Sequence, residues 1–353
     1  MAYTTINDPS KYFQTVLWSG SGSGQAITNG GNSDLQPDFT WIKKRAGGSA
    51  RSHQLYDSTR GTTELLHSDG TNAESTQGAG LTAFSSDGFT VGSDDGVDGS
   101  GGTYVAWQWK ANGGTRTTNA ESGNNPAGGY QVNTTAGFSI VDYVGTGAAG
   151  TMAHGLGVVP NVIIVKNRDV ADAWAVYHGA NTAAPETDYL VLDTTAATVD
   201  DAAWWNDTAP TSSVFTVNTN HSVNADAENY IAYCFANVQG YSKFGSYIGN
   251  GNVDGPFIYL GFKPALLIYR NTAGSTDWVI VDTKRDSINV CDEELYANLN
   301  NGTGDVDLLD ILSSGFKCRR THASQNGNGV EYVYMAFAES PFVTSTGIPT
   351  TAR

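Results

Sequence analysis

The sequence predicts an all-β protein built from three antiparallel β-sandwich modules in tandem. Three observations predict it. The 353-residue chain holds 42 glycines and only 15% charged residues. With its many Thr, Val and Tyr residues, this composition describes short strands joined by tight turns. Next, the best-patterned segments alternate with period two. In "YVAWQWKA" (104–111), Val105, Trp107 and Trp109 face one way, and Tyr104, Ala106, Gln108 and Lys110 the other. Finally, the chain repeats itself three times.

The repeat has four landmarks in constant order. An aromatic stands two positions before a Gly in "LWSGSG" (17–22), "DYVGTG" (142–147) and "SYIGNG" (246–251). A proline then opens an apolar strand with a basic end: "PDFTWIKKR" (37–45), "PNVIIVKNR" (160–168) and "PALLIYR" (264–270). "SSDGFTVG" (85–92), "TSSVFTVN" (211–218) and "LSSGFKCR" (312–319) follow. "YVAWQWKA", "YIAYCFAN" (230–237) and "YVYMAFAE" (332–339) close each unit. From Phe89, Phe215 and Phe316 to Tyr104, Tyr230 and Tyr332 the separations are 15, 15 and 16 residues.

These landmarks divide the chain into an N-terminal arm (1–11), repeat 1 (12–112), a Gly/Asn-rich linker (113–137), repeat 2 (138–240), repeat 3 (241–342) and a C-terminal tail (343–353). Each repeat has the size of a small domain. The best helical segment is the short "CDEELYANL" (291–299). Pro37, Pro160 and Pro264 mark equivalent strand starts. Arg45, Arg168 and Arg270 are expected at comparable strand ends, each pairing with an acid or capping carbonyls. Lys43 and Lys44 are expected to be solvated.

Charge and composition exclude several classes of function. A formal net charge of −16 disfavours nucleic-acid binding, which needs a positive face. No run of 18 apolar residues is present to span a membrane as a helix. The start, "MAYTTINDPSKYF", lacks the pattern of a signal peptide. Cys234, Cys291 and Cys318 have no CxxC spacing, so they suggest neither a zinc site nor a disulfide framework. They suit a protein assembled in reducing cytoplasm.

Side chains that could carry chemistry are few. Asp57 and Arg60 ("YDSTR") recur as Asp282 and Arg285 ("VDTKR"), whereas repeat 2 has His178 and no Arg. Such a pair could clamp an acidic or glycan ligand or form a structural ion pair; its repetition favours the scaffold. Asp94, Asp95 and Asp98 in "SDDGVDGSGG" could offer oxygens to Ca²⁺, but the spacing is not that of an EF-hand, and a solvated loop is the favoured reading. Trp204 and Trp205 in "DDAAWWND" could stack on a sugar ring, or divide between core and surface as strand neighbours do. No catalytic set, metal site or cofactor motif is found, so no cofactor and no enzyme activity are expected.

The aligned landmarks, with "AYTTINDPSKYFQT" (2–15) and "GIPTTAR" (347–353), resemble a family of virion proteins of marine tailed bacteriophages. The resemblance runs over essentially the whole chain, and its motifs are structural. It implies jelly-roll modules similar to concanavalin-like (LamG-type) sandwiches. It also implies a non-enzymatic protein of the virion surface, of tail-fibre or adhesin type, attaching to host glycan. The alternative is a capsid decoration or head-fibre protein. Partners would be other tail or capsid proteins and a host surface glycan or receptor, with homo-oligomers, trimers among them, expected.

Overall fold

The computed structural model describes residues 2–350; residues 351–353 of the expected tail lie outside them. The chain is all β, in several antiparallel sheets. In the first unit, Phe13–Ser19 pairs with Thr103–Trp109, and this with Phe39–Ala46. The sheet continues through Gln54–Asp57, Gly61–Leu66 and Ser75–Thr76. A smaller sheet of Gln25–Thr28, Gly88–Val91 and Leu81–Ser85 backs it.

The second unit repeats this order with Phe138–Val144, Asn229–Phe235, Val162–Asn167, Ala175–His178, Asp188–Val191 and Val199–Asp200, backed by Gly150–Ala153 and Val214–Val217. Segment 113–137 is more than a spacer: its strands Thr117–Asn119 and Gly128–Asn133 extend this sheet to eight strands. The alternating "YQV" inside the Gly-rich stretch supplies the strand, since Val132 and Tyr130 pack on the second unit's core. In the third unit one eight-stranded sheet, from Ser242–Ile248 round to Phe257–Tyr259, curls into a nearly closed barrel.

"CDEELYANL" is not a helix. Cys291–Tyr296 is a strand between Val279–Asp282 and Gly304–Leu312. An isolated helix of that length is marginal in water, and pairing on both sides with burial of Cys291 and Leu295 overrides the local preference.

Four hydrophobic clusters explain why both strand faces are apolar. One cluster lies inside each unit, and the fourth lies between them. Val105, Trp107 and Trp109 join Ile231, Tyr233 and Phe235 and Val333, Met335 and Phe337 in this shared core. Trp109, Phe235 and Phe337 meet one another, with ring centroids 6.2, 5.4 and 5.7 Å apart. Three equivalent residues in mutual contact mark a pseudo-threefold axis within a single chain. The units therefore bury their largest sheets against one another, as subunits of a trimer do.

The landmark Gly also has a packing cause. A Cβ on Gly20, Gly145 or Gly249 would lie 2.1, 2.0 and 2.3 Å from the carbonyl oxygens of Gly99, Ala225 and Gly327. The aromatic two residues earlier stacks on the landmark tyrosine: Trp18 on Tyr104, Tyr143 on Tyr230 and Tyr247 on Tyr332, at 5.3, 5.0 and 4.9 Å.

Candidate interaction surface

The basic strand ends belong to the unit boundaries, and the register corrects their alignment. Lys43 lies opposite Val105, Lys166 opposite Ile231 and Arg270 opposite Val333. Arg270 is thus equivalent to Lys43 and Lys166, six residues after the landmark proline. Arg45 and Arg168 are equivalent to each other two residues later. All three cations at the first position are fully buried, so Lys43 is not solvated; Lys44, only 4% exposed, is not either.

Each buried cation reaches a main-chain carbonyl of the preceding unit. Lys43 Nζ donates to Asn300 O at 2.7 Å, Lys166 Nζ to Thr71 O at 3.0 Å and Arg270 Nη1 to Val191 O at 2.7 Å. Arg270 also lies over the Trp278 ring, 5.2 Å from its centroid. Burial pushes the amines of Lys43 and Lys166 down to about 8, because the charged form is the one that loses hydration.

A second ring of donors follows the same path. Trp174 Nε1 donates to His67 O at 2.8 Å and Trp278 Nε1 to Val191 O at 2.9 Å. In the first unit His53 holds this place: its Nδ1 accepts from Trp41 Nε1, leaving Nε2 to donate to Tyr296 O at 2.8 Å. The main chain closes the circle. Glu74 N donates to Arg168 O, Thr198 N to Thr272 O and Thr303 N to Arg45 O, at 2.8, 2.9 and 3.0 Å. Arg45 and Arg168 add ion pairs to Glu293 and Glu74 of the preceding unit, at 2.8 and 2.6 Å.

Asp57–Arg60 and Asp282–Arg285 are fully buried ion pairs, at 2.5 and 2.6 Å. Each Asp also accepts a hydrogen bond from another unit: Asp57 from Tyr233 at 2.7 Å, Asp282 from Trp107 Nε1 at 3.0 Å. His178 occupies the third equivalent place. The third unit offers Met335 there, which cannot donate. A buried Asp would lack its partner, and neutral His178 instead donates Nε2–H to Tyr334 O at 3.1 Å. Being buried, these groups do not form a clamp for a ligand from solution.

The weak ligand candidates are also occupied. Asp98 is fully buried and accepts from Ser21 N, Ser21 Oγ, Gly24 N and Gln25 Nε2. Asn224 and Asn326 take the same place, accepting from Thr146 N and Asn250 N at 2.8 and 2.7 Å. Asp94 accepts from Gln54, Gln77 and Gly96, while Asp95 pairs with Lys44 and Arg51 at 2.8 and 2.7 Å. Among the described residues no three His, Cys, Asp or Glu side chains form a group able to hold a metal.

Trp204 and Trp205 lie on a helical turn, Ala202–Trp205, capped by Asp201 accepting from Ala203 N at 2.9 Å. Successive helical residues diverge by only about 100°, so both rings enter the core, at 5% and 2% exposure. Trp204 stacks on Tyr189 at 3.7 Å. Neither presents a face to a sugar.

What faces solvent is a set of loops placed three times. At the Tyr104, Tyr230 and Tyr332 ends of the strands stand the turns pinned by Asp98, Asn224 and Asn326. The loops after Ala46, Asn167 and Asn271 lie at the same strand ends. Pseudo-threefold symmetry sets the three groups at one level along the axis. The opposite strand ends are covered by the chain's first and last described segments: Thr4 Oγ1 donates to Gln239 O, and Asn7 Nδ2 to Ser345 Oγ, both at 2.7 Å. Residues 8–341 match a family described as a domain of unknown function (DUF7483). No curated protein matches the chain, and no solved structure matches it.

Proposed function

The chain belongs to the DUF7483 family, and we propose, on the resemblance that its sequence motifs carry, that it is a non-enzymatic structural protein of a bacteriophage exterior. Its role is that of a tail-fibre or adhesin-type protein that attaches to host-surface glycan. The observation that carries this reading is the threefold presentation of equivalent loops at one end of a rigid, closed assembly. Weak contacts made three times by one body gain through effective concentration. Loops on a rigid scaffold are where binding residues concentrate. A large sheet backed by a smaller one, in the first two units, supports reading the units as concanavalin-like sandwiches, the fold implied by the family resemblance.

The same body favours a second reading as a capsid decoration or head-fibre protein, because a pseudo-threefold monomer can sit on a threefold position of a shell. Counting copies in purified particles separates the two. A few dozen or fewer, located at the tail, support attachment; hundreds on the shell support decoration. A glycan array and host-cell binding with the purified chain then test attachment directly, and absence of binding in both rejects it.

A further inference from the structure

At each boundary, the outer edge of one unit's first strand faces the turn that follows its neighbour's fourth strand. Ile140, Phe244 and Thr15 are equivalent there, opposite Tyr233, Met335 and Trp107. The chain closes one of these edges with a strand and caps the second, Ser242–Ile248, with a single side chain. Strand Gly128–Asn133 pairs with Phe138–Val144, setting Gln131 opposite Ile140. Gln131 Nε2 then donates across the boundary to Ser58 Oγ and Thr59 Oγ1 at 2.8 and 2.6 Å. Tyr130 packs on Gly155, where an added Cβ would lie 2.2 Å from the ring. Phe244 N donates to Asn237 Oδ1 at 2.7 Å.

The third edge is open. Among the described residues, Phe13–Ser19 pairs with Thr103–Trp109 and with no strand on its other side. Thr15 Oγ1 is buried without a hydrogen-bond partner. Beside it runs a groove of about 310 Å³ whose lining includes Phe13, Thr15, Gly30, Gly31, Thr283 and Lys284. Gly30 and Gly31 hold the place of the loop at Gly155, and Thr283 and Lys284 that of Ser58 and Thr59.

We propose that this groove takes an extended peptide strand, added to the edge of Phe13–Ser19 as Gly128–Asn133 is added to Phe138–Val144. Main-chain hydrogen bonds hold such a strand, and side-chain pockets select it. The internal occupant gives its chemistry: an apolar or aromatic residue set on Gly30, beside the Gln14 side chain that covers Gly31 and accepts from its N–H at 2.9 Å, followed by Gln or Glu beside Thr283 and Lys284. Glu339 also lines the groove, but it accepts from Thr283 Oγ1 at 2.9 Å and is paired with Lys263 at 2.7 Å, so exposed, positive Lys284 favours Glu over Gln. The inference stands on the three boundaries and is independent of any role in a virion.

The probe is a fluorescent peptide of residues 125–134, "NPAGGYQVNT", titrated with the full chain by anisotropy. Saturable binding is expected. A peptide with Gln131→Glu should bind several-fold tighter, and one with Gln131→Lys several-fold weaker. In the protein, Thr15→Pro removes the outward N–H at a sheet edge that tolerates proline, and should weaken binding at least tenfold. No saturation by about 1 mM, or unchanged binding by Thr15→Pro, overturns the proposal. If that variant does not fold, Lys284→Glu carries the test. It should reverse the order of the Glu and Lys peptides, and an unchanged order rejects the site.

Discussion

The phenol of Tyr233 donates to the carboxylate of Asp57 at 2.7 Å, joining the second unit to the first through a fully buried pair. Trp107 does the same for Asp282. Tyr233→Phe should therefore cost about 1.5–3 kcal/mol, the range for a hydrogen bond to a charged group. Asp57→Ala should cost more, about 3–5 kcal/mol, because it strands the buried guanidinium of Arg60. Urea unfolding of both variants checks the order; equal losses would mean that the Arg60 pair adds nothing.

His178 makes stability fall in mild acid. Burial pushes its imidazole from the ordinary 6.5 to about 4, so the unfolded chain binds a proton that the folded chain refuses. The contribution of neutral His178 is complete above pH 6.5 and is lost as pH falls from 6.5 to 4. Over that window wild type should lose about 3 kcal/mol relative to His178→Gln. Urea midpoints of the two proteins at pH 7 and pH 4.5 measure the difference.

Lys43 and Lys166 act in the alkaline range. Their folded values of about 8 lie below the usual 10.5, so the unfolded chain again binds more protons, now between pH 8 and 10.5. Stability rises with pH there. Between pH 8 and 9.5 wild type should gain on the order of 2 kcal/mol relative to Lys166→Met. A parallel pH dependence of the two proteins would show that Lys166 is not held in low dielectric.

The shared core makes the three units unfold together. Phe235→Ala removes one ring of the Trp109–Phe235–Phe337 contact and should cost about 3–5 kcal/mol. Hydrogen exchange should quicken in Thr103–Trp109 and Glu331–Pro341 as well as in Asn229–Phe235. Loss of protection confined to the second unit would reveal independent domains.

The Asp-rich loop should ignore calcium. Asp98 receives four donors, so excess Ca²⁺ or EDTA should leave the melting temperature unchanged. Asp98→Ala should cost about 1.5–3 kcal/mol by leaving those donors without a carboxylate. A calcium-dependent rise in melting temperature that Asp98→Ala abolishes would establish the metal site instead.

The all-β class, the threefold repeat and the apolar inner face of "YVAWQW" and its two counterparts are legible in the linear sequence. These depend on local alternation and turn chemistry, which a linear pattern records. It also held one signal that spacing makes legible: six residues after Pro37, Pro160 and Pro264 stands a cation each time. The helical form of Ala202–Trp205 and the strand at Cys291–Tyr296 were decided by packing and pairing partners far away in the chain. So was the meaning of the repeat. Tandem units and a closed pseudo-trimer have the same linear periodicity. Only the tertiary structure brings Trp109, Phe235 and Phe337 together and gives Lys43, Lys166 and Arg270 a neighbouring unit's carbonyls. It also leaves Thr15 open where Ile140 pairs with a further strand and Phe244 N is capped by Asn237. The physical reason is that contacts between units are set by distance in space, which a one-dimensional spacing does not encode.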